Sequence, residues 1–160
     1  MNERLFVPAD FAVPHGLTTE EFRLEPLGPQ HNAADYAAWT ASIGHIQATP
    51  GFAGTGWPHE MSLAENLRDL ERHARDFAER RGFTYTVLST STGDVIGCVY
   101  IYPQRGDGPG GAGAGEQHAA AVSSWVRADR AALDPVLYRT VRAWLERDWP
   151  FTSIEYAPRA

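Results

Sequence analysis

The chain has 160 residues, a formal net charge of −6 and 43% hydrophobic residues, which fits one globular domain and argues against intrinsic disorder. All fourteen cationic side chains are arginine, so a lysine nucleophile or Schiff base is excluded. There is no basic block, and a nucleic-acid-binding surface is therefore not expected. The single cysteine, Cys98, excludes an internal disulfide and a cysteine-rich zinc site.

The sequence also lacks the patterns that direct a chain into or across a membrane. No run of about 18 apolar residues is present, and residues 1–10 lack the basic-then-apolar layout of a signal peptide. A cytoplasmic location is therefore expected, and a single cysteine is compatible with it.

Residues 1–20 show little periodicity and are predicted to form an N-terminal arm with extended pieces, followed by a single domain over residues 21–160. The alternation of apolar and polar residues over 22–27 predicts the first strand of that domain. The apolar side chains of the arm are expected to lie against the domain: Phe6, Val7, Phe11 and Val13.

Two helices are predicted next, separated by a long loop at 44–61. Asn32 is expected to cap the first, which runs to about Ser42. Ser62 and Glu65 form a capping box at the start of the second, and Gly82 is expected to stop it in the left-handed conformation. His73 is expected on its polar surface, and its apolar face is predicted to consist of Leu63, Leu67, Leu70, Ala74, Phe77 and Ala78.

The second half of the chain alternates strand and helix patterns. Residues 83–88 and 95–102 flank a Thr-Gly-Asp turn, which predicts a hairpin. The glycine-rich residues 105–115 are expected to form a flexible linker that folding does not require. Strands are predicted at 119–126 and 153–156, and between them a helix from 135 to 148 with a buried stripe of Leu137, Val141, Trp144 and Leu145.

This order of a strand, two helices, three antiparallel strands, a helix and a strand resembles the GNAT superfamily of N-acetyltransferases. Residues 22–27 (FRLEPL) look like its opening strand, 94–103 (DVIGCVYIYP) like its third and 123–127 (SSWVR) like the end of its fourth. The resemblance spans residues 22–156. It implies an α/β (α+β) fold with a mixed, mostly antiparallel central sheet and flanking helices.

The same resemblance implies transfer of an acetyl group from acetyl-CoA, as co-substrate, to an amine on a small molecule or a protein. Backbone N–H groups near Trp125 and Val126 would polarise the acyl carbonyl. Arg127 and Arg130 would lie at the turn whose N–H groups cradle the pyrophosphate of acyl-CoA in active members. A homodimer is a reasonable expectation for such folds, although no surface patch in the sequence indicates one.

Two departures from the family pattern stand out. The pyrophosphate turn is normally rich in glycine, whereas residues 127–135 contain none. Asp134 is predicted to cap the following helix, and Pro135 lacks an N–H donor. The sequence therefore predicts absent or weakened acyl-CoA binding. The family also usually continues with a further helix and two strands beyond the point reached at Ala160.

A second function therefore stays open, a GNAT-like module that binds a ligand or a partner without transferring an acyl group. The acceptor side offers few distinctive residues. The loop between the first two helices borders the acceptor pocket in GNAT-like folds, which makes Trp57 and His59 candidates for substrate contact, although Trp57 is equally suited to anchor the loop. Tyr100 shares a strand face with Tyr102, and it either lines a pocket or fills the core. Ile96 and the inert thiol of Cys98 are expected on that face too.

No residue is assigned as the catalytic base. Glu116 and His118 have suitable side chains to deprotonate an amine, but both also suit a solvated strand entrance. Gly51–Gly56 lacks the strand-turn-helix frame of a dinucleotide fingerprint. No metal site is predicted, because short ligand spacings are missing among the candidate histidines His31, His45, His59 and His73.

Overall fold

A computed structural model of the chain describes residues 5–104 and 118–159. The predicted linker at 105–115 and Glu116 lie outside this range. The described residues form a six-stranded sheet whose strands follow one another in chain order: β1 (Leu17–Thr18), β2 (Phe22–Pro26), β3 (Phe83–Ser89), β4 (Val95–Pro103), β5 (Ala119–Val126) and β6 (Ser153–Tyr156). Neighbours are antiparallel except for β5 and β6, which are parallel. The predicted fold class is confirmed.

In the described part of the chain, four α-helices cover the two faces of the sheet: α1 (Asn32–Thr40), α2 (Ile43–Gln47), α3 (Leu63–Ala78) and α4 (Asp134–Asp148). None of the helices in the described residues is long and apolar enough to cross a membrane. The strands predicted at 119–126 and 153–156 have those bounds. Helix α2 and strand β1 were not predicted, since five and two residues are too short to show a periodic pattern.

Each face of the sheet has its own hydrophobic core. The first core contains the four residues predicted as the buried stripe of α4, together with Phe6 and Val7 of the N-terminal arm. The second core joins α1, α2 and α3 to the sheet through Trp39, Ile46 and Leu70. A cavity between the sheet and α3 also lies on this second face.

A bulge in β4 changes which residues share a face. Val87 pairs with Gly97 and Leu88 with Val95, so Ile96 is one extra residue on its strand. Ile96 therefore packs in the first core, whereas Cys98 packs in the second. The prediction that Ile96 shares a face with Cys98 was wrong, because strict alternation fails at a bulge.

The ends of the helices match the sequence prediction only in part. The capping box of α3 is present, with hydrogen bonds of 3.1 Å from the Glu65 N–H to Ser62 Oγ and 2.8 Å from the Ser62 N–H to Glu65 Oε1. Asn32 does not cap α1 but is its first residue. Its side-chain amide donates to the Leu63 carbonyl and accepts from Asn66, so it joins α1 to α3 instead.

Gly82 was also wrongly expected to provide the left-handed stop after α3. Arg80 adopts that conformation, with φ of 62°. The Arg80 guanidinium donates to the carbonyls of Pro8 and Phe11 at 2.7 and 2.9 Å, and these bonds to the arm offset the local strain.

Gly82 is required for a different reason, which gives a testable prediction. A Cβ at Gly82 would lie 2.1 Å from Cε2 of Tyr102, whose hydroxyl is fixed by a 2.8 Å hydrogen bond to Asp76. We expect Gly82→Ala to lower the free energy of unfolding by about 1–3 kcal/mol, as overpacking does, measured by urea denaturation. Gly44→Ala is the matched control, since nothing lies within 4 Å of a Cβ there. Equal stability of the two variants would refute the clash.

Candidate functional site

A cavity of about 240 Å³ lies between the second face of the sheet and helices α1 and α3. Three of the side chains that line it are aromatic: Phe52, Trp57 and Tyr100. Their ring centroids are 5.6 to 6.3 Å apart, so they form one continuous apolar wall. The other wall is polar and includes Asp35, Asn66, Asp69, Arg72 and His73.

Asp35 is the most deeply buried acid in this cavity, with 4% of its surface exposed. Its carboxylate accepts a 3.2 Å hydrogen bond from the side-chain amide of Asn66. Asn66 is oriented in turn by Trp39, whose indole N–H donates to Asn66 Oδ1 at 3.0 Å. Burial raises the pKa of Asp35 to about 6, and the carboxyl of Asp69 adds to this, while Asn66 and His31 act in the opposite direction.

His73 lines the cavity and does not lie on the polar surface of α3, where the sequence predicted it. Its Nδ1 is 2.9 Å from the Tyr102 hydroxyl and 3.0 Å from Thr84 Oγ1. Burial lowers its pKa to about 4, and Arg72 contributes, while Asp76 acts in the opposite direction. His73 is therefore neutral at pH 7. The prediction of a polar-surface position was wrong, because the charged neighbours of His73 in sequence concealed a helical position that faces β3 and β4.

Tyr100 connects the cavity to β5. Its hydroxyl accepts a 3.0 Å hydrogen bond from the indole N–H of Trp125, which is fully buried. It also interacts with the thiol of Cys98, and burial raises the pKa of that thiol well above its usual value, so the thiol stays protonated. Trp125 thus contributes its side chain to this site, in addition to the backbone role expected for it.

Two of the three residues predicted to contact substrate lie at the cavity, and the third does not. Trp57 and Tyr100 both line the cavity, and Trp57 also packs on Trp39 with ring centroids 5.8 Å apart, so it anchors its loop as well. His59 is exposed and is not among the residues lining the cavity.

His118 also lies away from the cavity. It stands just before β5, at the end opposite Trp125, and about 23 Å from it at the rise of an extended strand. Its Nδ1 is 2.9 Å from the Phe6 carbonyl of the arm. From this position the imidazole does not reach a ligand in the cavity.

A second, wider groove of about 680 Å³ meets the cavity at Tyr100 and Ser123. It runs along Ala121, Val122 and Ser123 in the middle of β5 towards Tyr156 and Ala157. The two spaces together form a path from the buried carboxyl of Asp35 to the edge of β5. Within residues 5–104 and 118–159, no three or more His, Cys, Asp or Glu side chains come together in a group that could hold a metal ion.

No protein-family model and no curated protein matches this sequence. Solved structures do match its fold. The ribosomal-protein-S5-alanine acetyltransferase from Vibrio fischeri superposes with a TM-score of 0.58 at 12% identity, over 81% of this chain and 66% of that one. A probable GNAT-family acetyltransferase from Chromobacterium violaceum gives 0.56 at 15% identity, over 92% and 67%.

A third neighbour is the microcin C7 self-immunity acetyltransferase MccE, solved in complex with acetyl-CoA and AMP, with a TM-score of 0.59 at 12% identity over 84% of this chain and 66% of that one. The chain has the GNAT fold. Its described part spans about two thirds of the length of these neighbours, and identities of 12–15% bear on the fold alone.

In a GNAT fold the turn between β5 and α4 is where the acyl-CoA pyrophosphate is expected, but two backbone donors of this turn are already used inside the protein. The Ala128 N–H donates to Ser42 Oγ at 2.9 Å, and the Arg130 N–H donates to the Arg127 carbonyl at 2.9 Å. The Arg127 guanidinium is paired with Asp129 at 2.8 Å. These residues do not fit a diphosphate in the way that a glycine-rich turn does.

Arg130 has a side chain with unused hydrogen-bonding capacity in this turn. Its Nε is buried and has no hydrogen-bond partner among the described residues. A single guanidinium is nevertheless a poor replacement for several aligned backbone donors.

Asp134 was wrongly predicted as the cap of α4. It is the first residue of the helix, Leu133 occupies the cap position, and no side chain caps the end. The Asp134 carboxylate instead accepts a 2.8 Å hydrogen bond from Nε of Arg159. A buried guanidinium binds a carboxylate more strongly than a backbone N–H does, and sequence reasoning could not anticipate a partner 25 residues away.

Proposed function

We propose that the chain is an N-acyltransferase of GNAT type, transferring an acetyl group from acetyl-CoA to a small amine that binds in the Asp35 cavity. The observation that carries the proposal is a buried carboxyl with a pKa of about 6, set among aromatic rings in a cavity that opens towards β5. The acetyltransferases that share the fold support the type of reaction.

The cavity favours a small molecule over a protein as the acceptor. A volume of about 240 Å³ corresponds to roughly eight water molecules, which suits a compact amine. Its protonated nitrogen would compensate the buried charge of Asp35. The body of the amine would contact the apolar wall formed by Phe52, Trp57 and Tyr100, whose ring faces also attract cations.

Asp35 is suited to take up the proton that the ammonium must lose before it attacks an acyl group. A carboxyl with a pKa of about 6 is ionised at pH 7.5 and is a stronger base than an ordinary aspartate. His73 lines the same cavity and stays neutral, so its ring does not compete with the ammonium for the carboxylate.

The proposal is tested with phenethylamine as the probe amine, in calorimetric titrations at pH 7.5. We expect Asp35→Asn to weaken binding at least tenfold, because the neutral amide cannot pair with the ammonium. Asp148→Asn removes a charge from the exposed end of α4 and is the matched control. Release of coenzyme A thiol in the presence of acetyl-CoA and the amine should fall in Asp35→Asn. Equal amine binding by wild type and Asp35→Asn would overturn the assignment.

A second candidate function is a GNAT-fold module that binds the amine without transfer. It is favoured by the turn after β5, where backbone N–H groups are already bonded and glycine is missing. The two functions differ in one result. The module binds the amine but releases no coenzyme A thiol at any acetyl-CoA concentration, whereas the enzyme does.

A further inference from the structure

The outer half of β5 offers a strand edge that β6 does not cover. The parallel ladder joins Ala119–Val122 to Ser153–Tyr156, and β5 continues to Val126. The Arg127 N–H bonds to the Ile96 carbonyl on β4. By the alternation of an extended strand, the backbone groups of Ser124 and Val126 point to the other side. Such an edge is a template for an extended chain that carries amide groups.

The side chain of Arg159 covers this edge. Its Nη2 donates to the Ser124 carbonyl at 2.7 Å, and its Nη1 donates to the Ala157 carbonyl at 2.8 Å. Its Nε donates to the Asp134 carboxylate at 2.8 Å. The guanidinium thus joins the uncovered edge of β5 to the first residue of α4 and to the segment after β6.

The surroundings of Arg159 hold it firmly in this place. Only 2% of its side chain is exposed, and its guanidinium lies 5.8 and 5.9 Å from the ring centroids of Tyr138 and Tyr156. The hydroxyl of Tyr156 is 2.6 Å from Ser124 Oγ, which ties the same segment to β5. A buried cation with a carboxylate, two carbonyls and two aromatic faces is fully satisfied.

We propose that Arg159 is a latch, which must leave the β5 edge before an acyl donor can lie along it. This inference rests on the proposed acyl transfer. The latch competes directly with the ligand. Arg159 donates to the Ser124 carbonyl, which is the acceptor that an amide N–H of the donor's extended arm would need. When the state that can bind the ligand is rarely populated, the apparent affinity falls in proportion to the population of that state.

The test is calorimetric titration of acetyl-CoA into wild type, Arg159→Gln and Arg159→Lys. We expect both variants to bind acetyl-CoA at least tenfold more tightly than wild type. Arg159→Gln loses a positive charge, so simple attraction of the anionic ligand would change its affinity in the opposite direction. Arg159→Lys keeps the charge but loses the forked geometry, and it carries the test if Arg159→Gln does not fold. Arg147→Gln is the control, an exposed arginine at the far end of α4.

Unchanged or weaker affinity in the folded Arg159 variants would overturn the latch, and so would micromolar or tighter binding by wild type. A gain of the same size in Arg147→Gln would also overturn it. The proposed function is judged separately, because its readout is binding of phenethylamine and its dependence on Asp35. If phenethylamine binding does not depend on Asp35, the proposed acceptor site is wrong. The acetyl-CoA titrations still test the latch in that case.

Discussion

Replacing Leu70 by alanine is expected to lower the free energy of unfolding by about 2–5 kcal/mol, the usual range for a buried leucine. Leu70 is 2% exposed and lies in the second core with Trp39 and Ile46. It also lines the cavity, so the space left by its side chain adds to a void that the walls do not fill by collapsing. Urea denaturation, with the midpoint and the slope both fitted, measures the loss.

Leu63 provides the matched control for this change. It belongs to the same predicted apolar face of α3 but is 47% exposed. Leu63→Ala is expected to change stability by no more than about 0.5 kcal/mol, as surface substitutions usually do. A loss below about 0.5 kcal/mol in Leu70→Ala would mean that the cavity wall adjusts freely, and the rigid site described above would then be wrong.

The face of α3 also shows what a helical pattern predicts well and where it fails. Spacing correctly indicated that Leu70 is buried, and Phe77 packs at the edge of the first core. It did not distinguish Leu63, which is exposed although it has the same spacing. It also missed Asn66, which is buried and polar, because a polar residue on an apolar face looks like an exception until its partners Asp35 and Trp39 are known.

Strand order and pairing were easier to predict than the site. Long apolar or alternating runs gave β3, β4 and β5, and the Thr-Gly-Asp turn gave the hairpin connection between β3 and β4. The site depends on contacts between residues far apart in the chain, such as Arg159 with Asp134 and Tyr100 with Trp125. Spacing along one element carries no information about such pairs.

Asp35 is the charged residue at the centre of the proposed site, and the sequence analysis did not name it. One signal was present. Asp35 and Trp39 are four residues apart and therefore share a helix face. The tryptophan marks that face as buried, so an acid one turn away is expected to be buried too. A pattern count treats such an acid as an ordinary polar residue, whereas its environment determines its chemistry.

Two buried groups, Asp35 and His73, are expected to change the stability of the fold with pH in opposite directions. Burial raises the pKa of Asp35 to about 6 from 3.8, so folding binds a proton and stability falls as pH rises from about 4 to 6. Burial lowers the pKa of His73 to about 4 from 6.5, so folding releases a proton and stability rises over nearly the same interval. Each effect amounts to about 3 kcal/mol, and in wild type the two largely cancel.

Single substitutions remove this cancellation. Relative to wild type, Asp35→Asn is expected to gain about 2–3 kcal/mol of stability between pH 4.5 and pH 7.5, because it keeps the hydrogen bond to Asn66 without the buried charge. His73→Asn is expected to lose a similar amount over the same interval, since only the Asp35 contribution remains. Urea denaturation at a series of pH values measures both differences, with Asp148→Asn as an exposed control. A constant difference between Asp35→Asn and wild type across this range would show that the carboxyl is solvated and is not the base that the proposed transfer requires.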